Sequence, residues 1–161
     1  MRSAMQIADM EGVNEYERDL LETAVLFHDS GFIYHSLNHE DKGCEIAQEI
    51  LGEFEYTPEE IARICGMIMA TKIPQTPNNK LEKIICDADL DYLGREDFWI
   101  IGNKLFKELV MTKVLNSEEE WNRLQVRFLG AHHFFTPSSM NMRQKKKEEN
   151  LRAIEEIVNS Y

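Results

Sequence analysis

Apolar residues recur at spacings of three and four along nearly the whole chain, the pattern of a helix with one buried face. One apolar stripe lies within residues 1–12. Another runs from Leu20 to His28, where Ser30 and Gly31 supply a stop signal. We find no strand alternation, no internal repeat and no linker. The sequence therefore predicts an all-α fold.

Local signals mark where further helices begin and end. Asn38 is a candidate N-cap, and Thr57-Pro58-Glu59-Glu60 combines a capping residue, a proline suited to the first helical position and a capping-box acid. Pro74 and Pro77 predict a loop. We interpret Lys145-Lys146-Lys147 as part of a solvated helix face. The predicted later helices span about 81–92, 98–111, 117–129 and 143–158.

Three aspartates alternate through the helix predicted at 81–92. At 100° per residue, Asp89 lies on one shoulder of the apolar stripe, beside Ile85. Asp91 lies on the opposite shoulder, beside Ile84, and Asp87 points away from the stripe. Helix geometry alone leaves open whether Asp89 or Asp91 faces the interior.

Composition and charge narrow the function classes. With 161 residues, 43% of them hydrophobic and 29% charged, the chain has the composition of a globular protein and no apolar run long enough to span a membrane. It begins without the pattern of a signal peptide, so we expect a cytoplasmic location. The formal net charge of −11 argues against nucleic-acid binding, which depends on Lys and Arg. The three cysteines form no CxxC pair and are interpreted as reduced thiols.

The candidate chemistry begins at His28-Asp29, at the predicted end of an apolar helix. By itself the pair can be a core histidine bonded to a carbonyl and a carboxylate at a helix end. The chain also offers Asp89 as a second inward-leaning carboxylate, and burying two carboxylates without a cation is costly. A divalent metal ion would satisfy both carboxylates.

The residues that carry this chemistry resemble a known family. Leu26-Phe27-His28-Asp29-Ser30-Gly31-Phe32, then His39-Glu40, then Asp87-Ala88-Asp89-Leu90 follow the order and spacing of the HD-domain metal-dependent phosphohydrolases. The resemblance covers about residues 1–110. We interpret 1–161 as a single HD-type domain, with the helices of 117–161 packing on that core.

The resemblance implies a divalent ion held by His28, Asp29 and Asp89. Mixed nitrogen and oxygen ligands suit Mn, Fe, Ni, Co or Mg. Asp29 is the candidate catalytic residue, because a ligating carboxylate can also orient or deprotonate a water. His39 matches a position near the metal or the substrate phosphate, although it can equally be a helix residue that faces water. His35 is expected in a loop.

One departure from the family pattern concerns its first histidine. In the family this ligand lies on the helix before the His-Asp helix, and no histidine precedes His28 here. We expect that the chain starts too late to include it, because the first helix begins in register and without a capping residue. The alternative is a diverged member with an incomplete site.

Lys72 and Arg95 are candidate substrate contacts, because each follows a helix that the resemblance places at the site. The alternative for both is a solvent-exposed cation. His132 and His133 either line a pocket or are surface residues that flank a buried Phe-Phe pair.

The expected function is hydrolysis of a small phosphate ester, such as a nucleotide, by a metal-activated water. The alternative is a catalytically weak HD module with a ligand-sensing or regulatory role. The sequence gives no signal for an oligomeric state.

Overall fold

The structure is a computed structural model that describes residues 1–34 and 37–161; His35 lies outside them. Within these ranges the chain forms eight α-helices and two short 3-10 helices, with no strand, and the all-α prediction is confirmed. The α-helices are α1 (Arg2–Met10), α2 (Glu15–Phe27), α3 (His39–Leu51), α4 (Pro58–Ala70), α5 (Lys80–Asp89), α6 (Phe98–Met111), α7 (Glu118–Ala131) and α8 (Pro137–Val158). The 3-10 helices are Ser30–Ile33 and Asp91–Gly94.

The chain divides into two compact units, Met1–Asp89 and Leu90–Tyr161. In the first unit, α2 packs on α4, α3 packs on α4 and on the 3-10 helix Ser30–Ile33, and α5 packs against α1, α2 and α4. Branched aliphatic side chains fill this interior, including the fully buried Leu21, Ile64 and Ile84. Our interpretation of 1–161 as a single domain stays a prediction.

The helix starts of the first unit follow partly from local signals. The Thr57 side chain accepts a hydrogen bond from the Glu60 amide, and the Glu60 carboxylate bonds back to Thr57, so the capping box is confirmed. Asn38 precedes α3 as predicted, but its side chain makes no cap hydrogen bond. Its backbone is left-handed, with φ of 56°, whereas a capping side chain normally extends from the β region.

Gly31 allows the chain after His28-Asp29 to pass directly against the start of α3. A Cβ at this position would lie 1.9 Å from the carbonyl oxygen of His39 and 2.7 Å from its carbonyl carbon. No side chain fits into that space. The absence of a Cβ therefore sets how closely the residues after α2 approach the first turn of α3.

The second unit has its own core, formed by Leu90, Leu93, Phe98, Leu129 and Ile154. Its last helix, α8, begins at Pro137, about two turns before the predicted start. Thr136 caps it by accepting from the Ser139 amide, and Pro137 takes the first helical position.

Lys147 departs from the prediction of a solvated lysine face. It is only 4% exposed, and its ammonium donates to the carbonyl of His132. A run of like charges thus concealed one inward-facing lysine, because the helix turns 100° per residue and three successive side chains cannot share one face.

Among the described residues, none of the helices is long and apolar enough to cross a membrane.

Candidate metal centre

The centre of the candidate site is the imidazole of His28, which faces two carboxylates. Its Nε2 lies 3.3 Å from Oδ2 of Asp29 and 3.6 Å from Oδ1 of Asp89. His28 and Asp29 follow the end of α2, and Asp89 is the last residue of α5, which packs against α2. The packing of two helix ends therefore brings Asp89 to the adjacent pair His28-Asp29, which lies far from it in sequence.

A backbone hydrogen bond orients the His28 ring. Nδ1 of His28 lies 2.9 Å from the carbonyl oxygen of Val25, one turn earlier in α2. A carbonyl can only accept, so Nδ1 carries the proton, and in the neutral ring Nε2 presents its lone pair to the carboxylates. This is the arrangement by which proteins prepare a histidine to ligate a metal.

The charges at this position do not balance. Burial lowers the pKa of His28, but hydrogen bonding to Asp89 and the charges of Asp29 and Asp89 outweigh it, so the pKa lies above its usual value. Burial raises the pKa of Asp29, and the nearby imidazoles only partly oppose this rise. Two carboxylates face a single imidazole, so a cation bound here would relieve the excess negative charge.

His39 continues the same cluster on the other side of Asp29. Its Nε2 lies 3.8 Å from Oδ1 of Asp29 and 3.5 Å from Oε1 of Glu40. The His39 ring stacks on Phe32, with 3.7 Å between ring centroids. Asp29 therefore turns one oxygen toward His28 and the other toward His39.

The donor types fit a divalent ion, because an imidazole nitrogen and carboxylate oxygens are ligands that Mn, Fe, Ni, Co and Mg accept. A cavity of about 230 Å³, lined by His28, Asp29 and Asp89 together with Met1 and Val25, adjoins them. Across residues 1–34 and 37–161, no three His, Cys, Asp or Glu side chains already converge as a complete ligand set. The donor atoms are therefore of the types that a divalent ion binds, but the side chains do not yet have the geometry of a coordination site.

A family model describing the HD domain matches residues 1–91. The chain belongs to the HD-domain family. Comparisons with curated proteins and with solved structures gave no match. The matched segment contains α1 to α5 and all five members of the cluster around Asp29, so the family assignment rests on the part of the chain that carries the candidate chemistry.

The two predicted cationic substrate contacts, Lys72 and Arg95, have acidic partners. Lys72 lies 2.7 Å from Oδ2 of Asp41, beside a cavity of about 510 Å³ that Tyr34 and Lys42 also line. Arg95 belongs to the second unit. It pairs with Asp97, and its Nη1 lies 3.4 Å from Oδ2 of Asp91. Their roles as substrate contacts stay predictions.

The three alternating aspartates of the HD domain occupy three different surroundings. Asp89 faces His28, and its side chain is 28% exposed, whereas Asp91 is 2% exposed and its Oδ1 lies 2.6 Å from Nε of Arg143. The expectation that Asp87 points outward is wrong, because Asp87 is fully buried. Three helices surround α5, so burial extends well beyond its apolar stripe.

His132 and His133 lie in the second unit and differ in exposure. His133 is exposed, whereas His132 is partly buried between Lys147 and the aromatic rings of Phe128 and Phe134. Burial, together with the neighbouring Lys147 charge, lowers the pKa of His132 to about 4. Phe134 is buried, but Phe135 is only partly buried and His132 is not at the surface, so the alternative of surface histidines that flank a buried aromatic pair holds only for His133 and Phe134.

Sequence reasoning assigned no role to Glu40 or to the Val25 carbonyl. Glu40 is an acid at the start of a helix, a position that usually indicates only a favourable charge at the helix N-terminus. The one available signal was its place directly after His39. The Val25 contact involves the backbone, which no side-chain pattern reveals.

Proposed function

We propose that this HD domain is a metal-dependent phosphohydrolase that cleaves a small phosphate ester such as a nucleotide. The observation that carries the proposal is the His28 imidazole, whose Nδ1 is committed to Val25 while Nε2 faces two carboxylates. That arrangement is chemically suited to a divalent ion. His28, Asp29 and Asp89 are the residues that would hold the ion.

Held by these residues, a divalent ion would supply charge to polarise a phosphoryl oxygen and would lower the pKa of a water toward neutrality. Asp29 orients the attacking water and accepts its proton through the oxygen that faces His39. The water oxygen bonds to phosphorus as the ester P–O bond breaks, the leaving oxygen takes up the proton that Asp29 accepted, and the products are inorganic phosphate and an alcohol. His39, which lies on the side of Asp29 away from His28, binds the substrate phosphate.

Lys72 is proposed to leave its ion pair with Asp41 and to bind the substrate phosphate instead. Arg95 is proposed as a further phosphate contact. We expect the protein to act in the cytoplasm.

The test combines metal binding with turnover. Calorimetric titration with Mn²⁺, Fe²⁺, Ni²⁺, Co²⁺ or Mg²⁺ should detect binding to the wild-type protein, and the loaded protein should hydrolyse p-nitrophenyl phosphate or a nucleoside monophosphate. His28→Ala and Asp29→Asn should abolish both. Glu49→Gln, which alters an exposed acid on α3, is the matched control and should change neither. Wild-type protein that binds none of these ions would contradict the proposal.

A second candidate is a catalytically weak HD module that senses a ligand. It is favoured by the incomplete ligand set within the described residues. Metal and nucleotide binding without turnover, under conditions in which His28→Ala loses the metal, would select this second function.

A further inference from the structure

Glu40 is a buried acid to which the proposed chemistry gives no task. Its side chain is 8% exposed, although it sits in the first turn of α3, where acids usually extend into solvent. Its Oε1 lies 3.5 Å from Nε2 of His39, the residue before it. Burying a carboxylate is costly unless a donor compensates it, and the His39 imidazole is placed to do so.

The His39 ring is bounded on several sides. Phe32 covers one face by stacking, and Asp29 and Glu40 both lie at its Nε2 edge. Stacking limits tilting of the ring but leaves rotation within its own plane. A carboxylate near Nε2 provides the directional contact that fixes the edge of the ring.

The arrangement around Asp29 is nearly symmetrical. His28 Nε2 lies between Asp89 and Asp29, and His39 Nε2 lies between Asp29 and Glu40. The backbone of Val25 orients the first imidazole. Glu40 contacts the second imidazole at Nε2, the nitrogen that also faces Asp29, whereas Val25 contacts the first imidazole at Nδ1.

We propose that Glu40 is a positioning residue that holds the His39 imidazole beside Asp29, so that His39 meets the substrate phosphate in a fixed orientation. This rests on the proposed phosphohydrolase function. It differs from a simple helix-terminal charge, which would stabilise α3 through the dipole wherever the carboxylate pointed. Positioning depends on the reach of the side chain and on an acceptor oxygen.

Two conservative variants separate these roles because they are expected to respond in opposite ways. Glu40→Gln keeps the length and one acceptor oxygen but loses the charge. Glu40→Asp keeps the charge but withdraws the carboxylate by one methylene. Positioning predicts that kcat for p-nitrophenyl phosphate with Mn²⁺ stays within about 3-fold in Glu40→Gln and falls about 10-fold in Glu40→Asp, as for other partners that orient site residues. A helix-charge role predicts the reverse order, and that result would overturn the proposal.

A readout without metal or turnover tests the same idea. In the metal-free protein, the ¹⁵N and ¹H signals of the His39 ring, assigned with His39→Ala, should shift in Glu40→Asp and stay near their wild-type positions in Glu40→Gln. Unchanged ring signals in both variants would overturn the positioning role even if activity fell. Glu49→Gln provides the baseline for an exposed acid on the same helix.

A double variant links Glu40 to His39. If Glu40 acts through His39, then Glu40→Asp should add no further loss of kcat to His39→Ala, whereas independent roles would multiply. If the wild-type protein shows no turnover, the proposed function fails, and the ring signals still decide whether Glu40 positions His39.

Discussion

Asp89 and Asp91 lie two residues apart in the chain, yet their charges are compensated in different ways. Asp91, in the second unit, is 2% exposed and meets two guanidinium groups, with Arg143 Nε at 2.6 Å and Arg95 Nη1 at 3.4 Å. Asp89, in the first unit, meets the imidazole of His28, which it shares with Asp29. The chain itself supplies the counter-charge for Asp91, whereas Asp89 belongs to a group that is short of positive charge.

This contrast separates a structural carboxylate from a candidate ligand. An aspartate already held by two arginines has little left to offer a metal ion, because its oxygens are committed to charge-assisted hydrogen bonds. An aspartate that shares one imidazole with a second carboxylate gains from a cation. Helical periodicity places Asp89 and Asp91 on equivalent shoulders of the apolar stripe. The two residues differ in the side chains that they contact in the folded protein.

The largest expected effect is on stability, when Asp91 loses its partner Arg143. Arg143→Ala should lower the free energy of unfolding of the second unit by about 3 kcal/mol, because removing one partner leaves a buried carboxylate undercompensated. Urea unfolding measures this loss. Arg152→Ala, which removes an exposed partner 3.9 Å from Glu148, should cost less than about 0.5 kcal/mol and serves as the control. Equal losses in the two variants would show that Asp91 does not depend on Arg143.

The next effect concerns metal affinity. Asp89→Asn should weaken Mn²⁺ binding by at least about 10-fold, whereas Asp91→Asn should leave the affinity of the folded protein unchanged. Isothermal titration of both variants under conditions where each is folded makes the measurement. If Asp91→Asn weakened binding and Asp89→Asn did not, the ligand assignment would move to Asp91.

Lys147 is a second buried charge of the second unit and extends the comparison, because its close partner is the neutral His132. The pKa of His132 is about 4 in the folded protein and about 6.5 in an unfolded chain, so between these values only the unfolded chain takes up the proton. The His132 contribution to stability is complete above pH 6.5 and is lost as the pH falls toward 4.

We expect this loss to total about 2 kcal/mol, since solvent screening of the partly exposed ring reduces the full value. Unfolding of wild type and His132→Gln at pH 7 and pH 5 measures a little over half of this loss, in a range where most carboxylates stay ionised. A pH dependence that is identical in the two proteins would contradict the assignment.

The smallest expected effect is on the stability of the metal-free protein, where the two substitutions should change the free energy of unfolding in opposite directions. In the metal-free protein, Asp89→Asn should raise the free energy of unfolding by about 1 kcal/mol, because it relieves repulsion with Asp29. Asp91→Asn should lower the free energy of unfolding, because it leaves two arginines facing an amide. Chemical denaturation in the presence of a chelator compares the two, and destabilisation by both changes would remove the distinction.

Several features were predictable because their signals are local. The capping box at Thr57 and the proline loop before α5 depend on residues within a few positions of each other. The pairing of Arg143 with Asp91 spans 52 residues, and no helical periodicity indicates it. The burial of Asp87 likewise depends on how many helices surround α5.

The candidate site was predictable to a similar degree. His28, Asp29 and Asp89 stood out through the family motif, and the structure brings them together. The contacts of His39 with Asp29 and Glu40 depend on how the segment after α2 meets α3, which is a matter of backbone packing. Side-chain patterns carry little information about such an approach.

That approach makes the geometry around Asp29 sensitive to a single methyl group. An alanine at position 31 would require its Cβ and the His39 carbonyl oxygen to separate by about 1.5 Å before reaching ordinary contact distance. His28 would keep its place at the end of α2, while α3 would retreat and carry His39 and Glu40 with it. A substitution that changes neither charge nor polarity would thus divide one continuous array of five side chains into two separate groups.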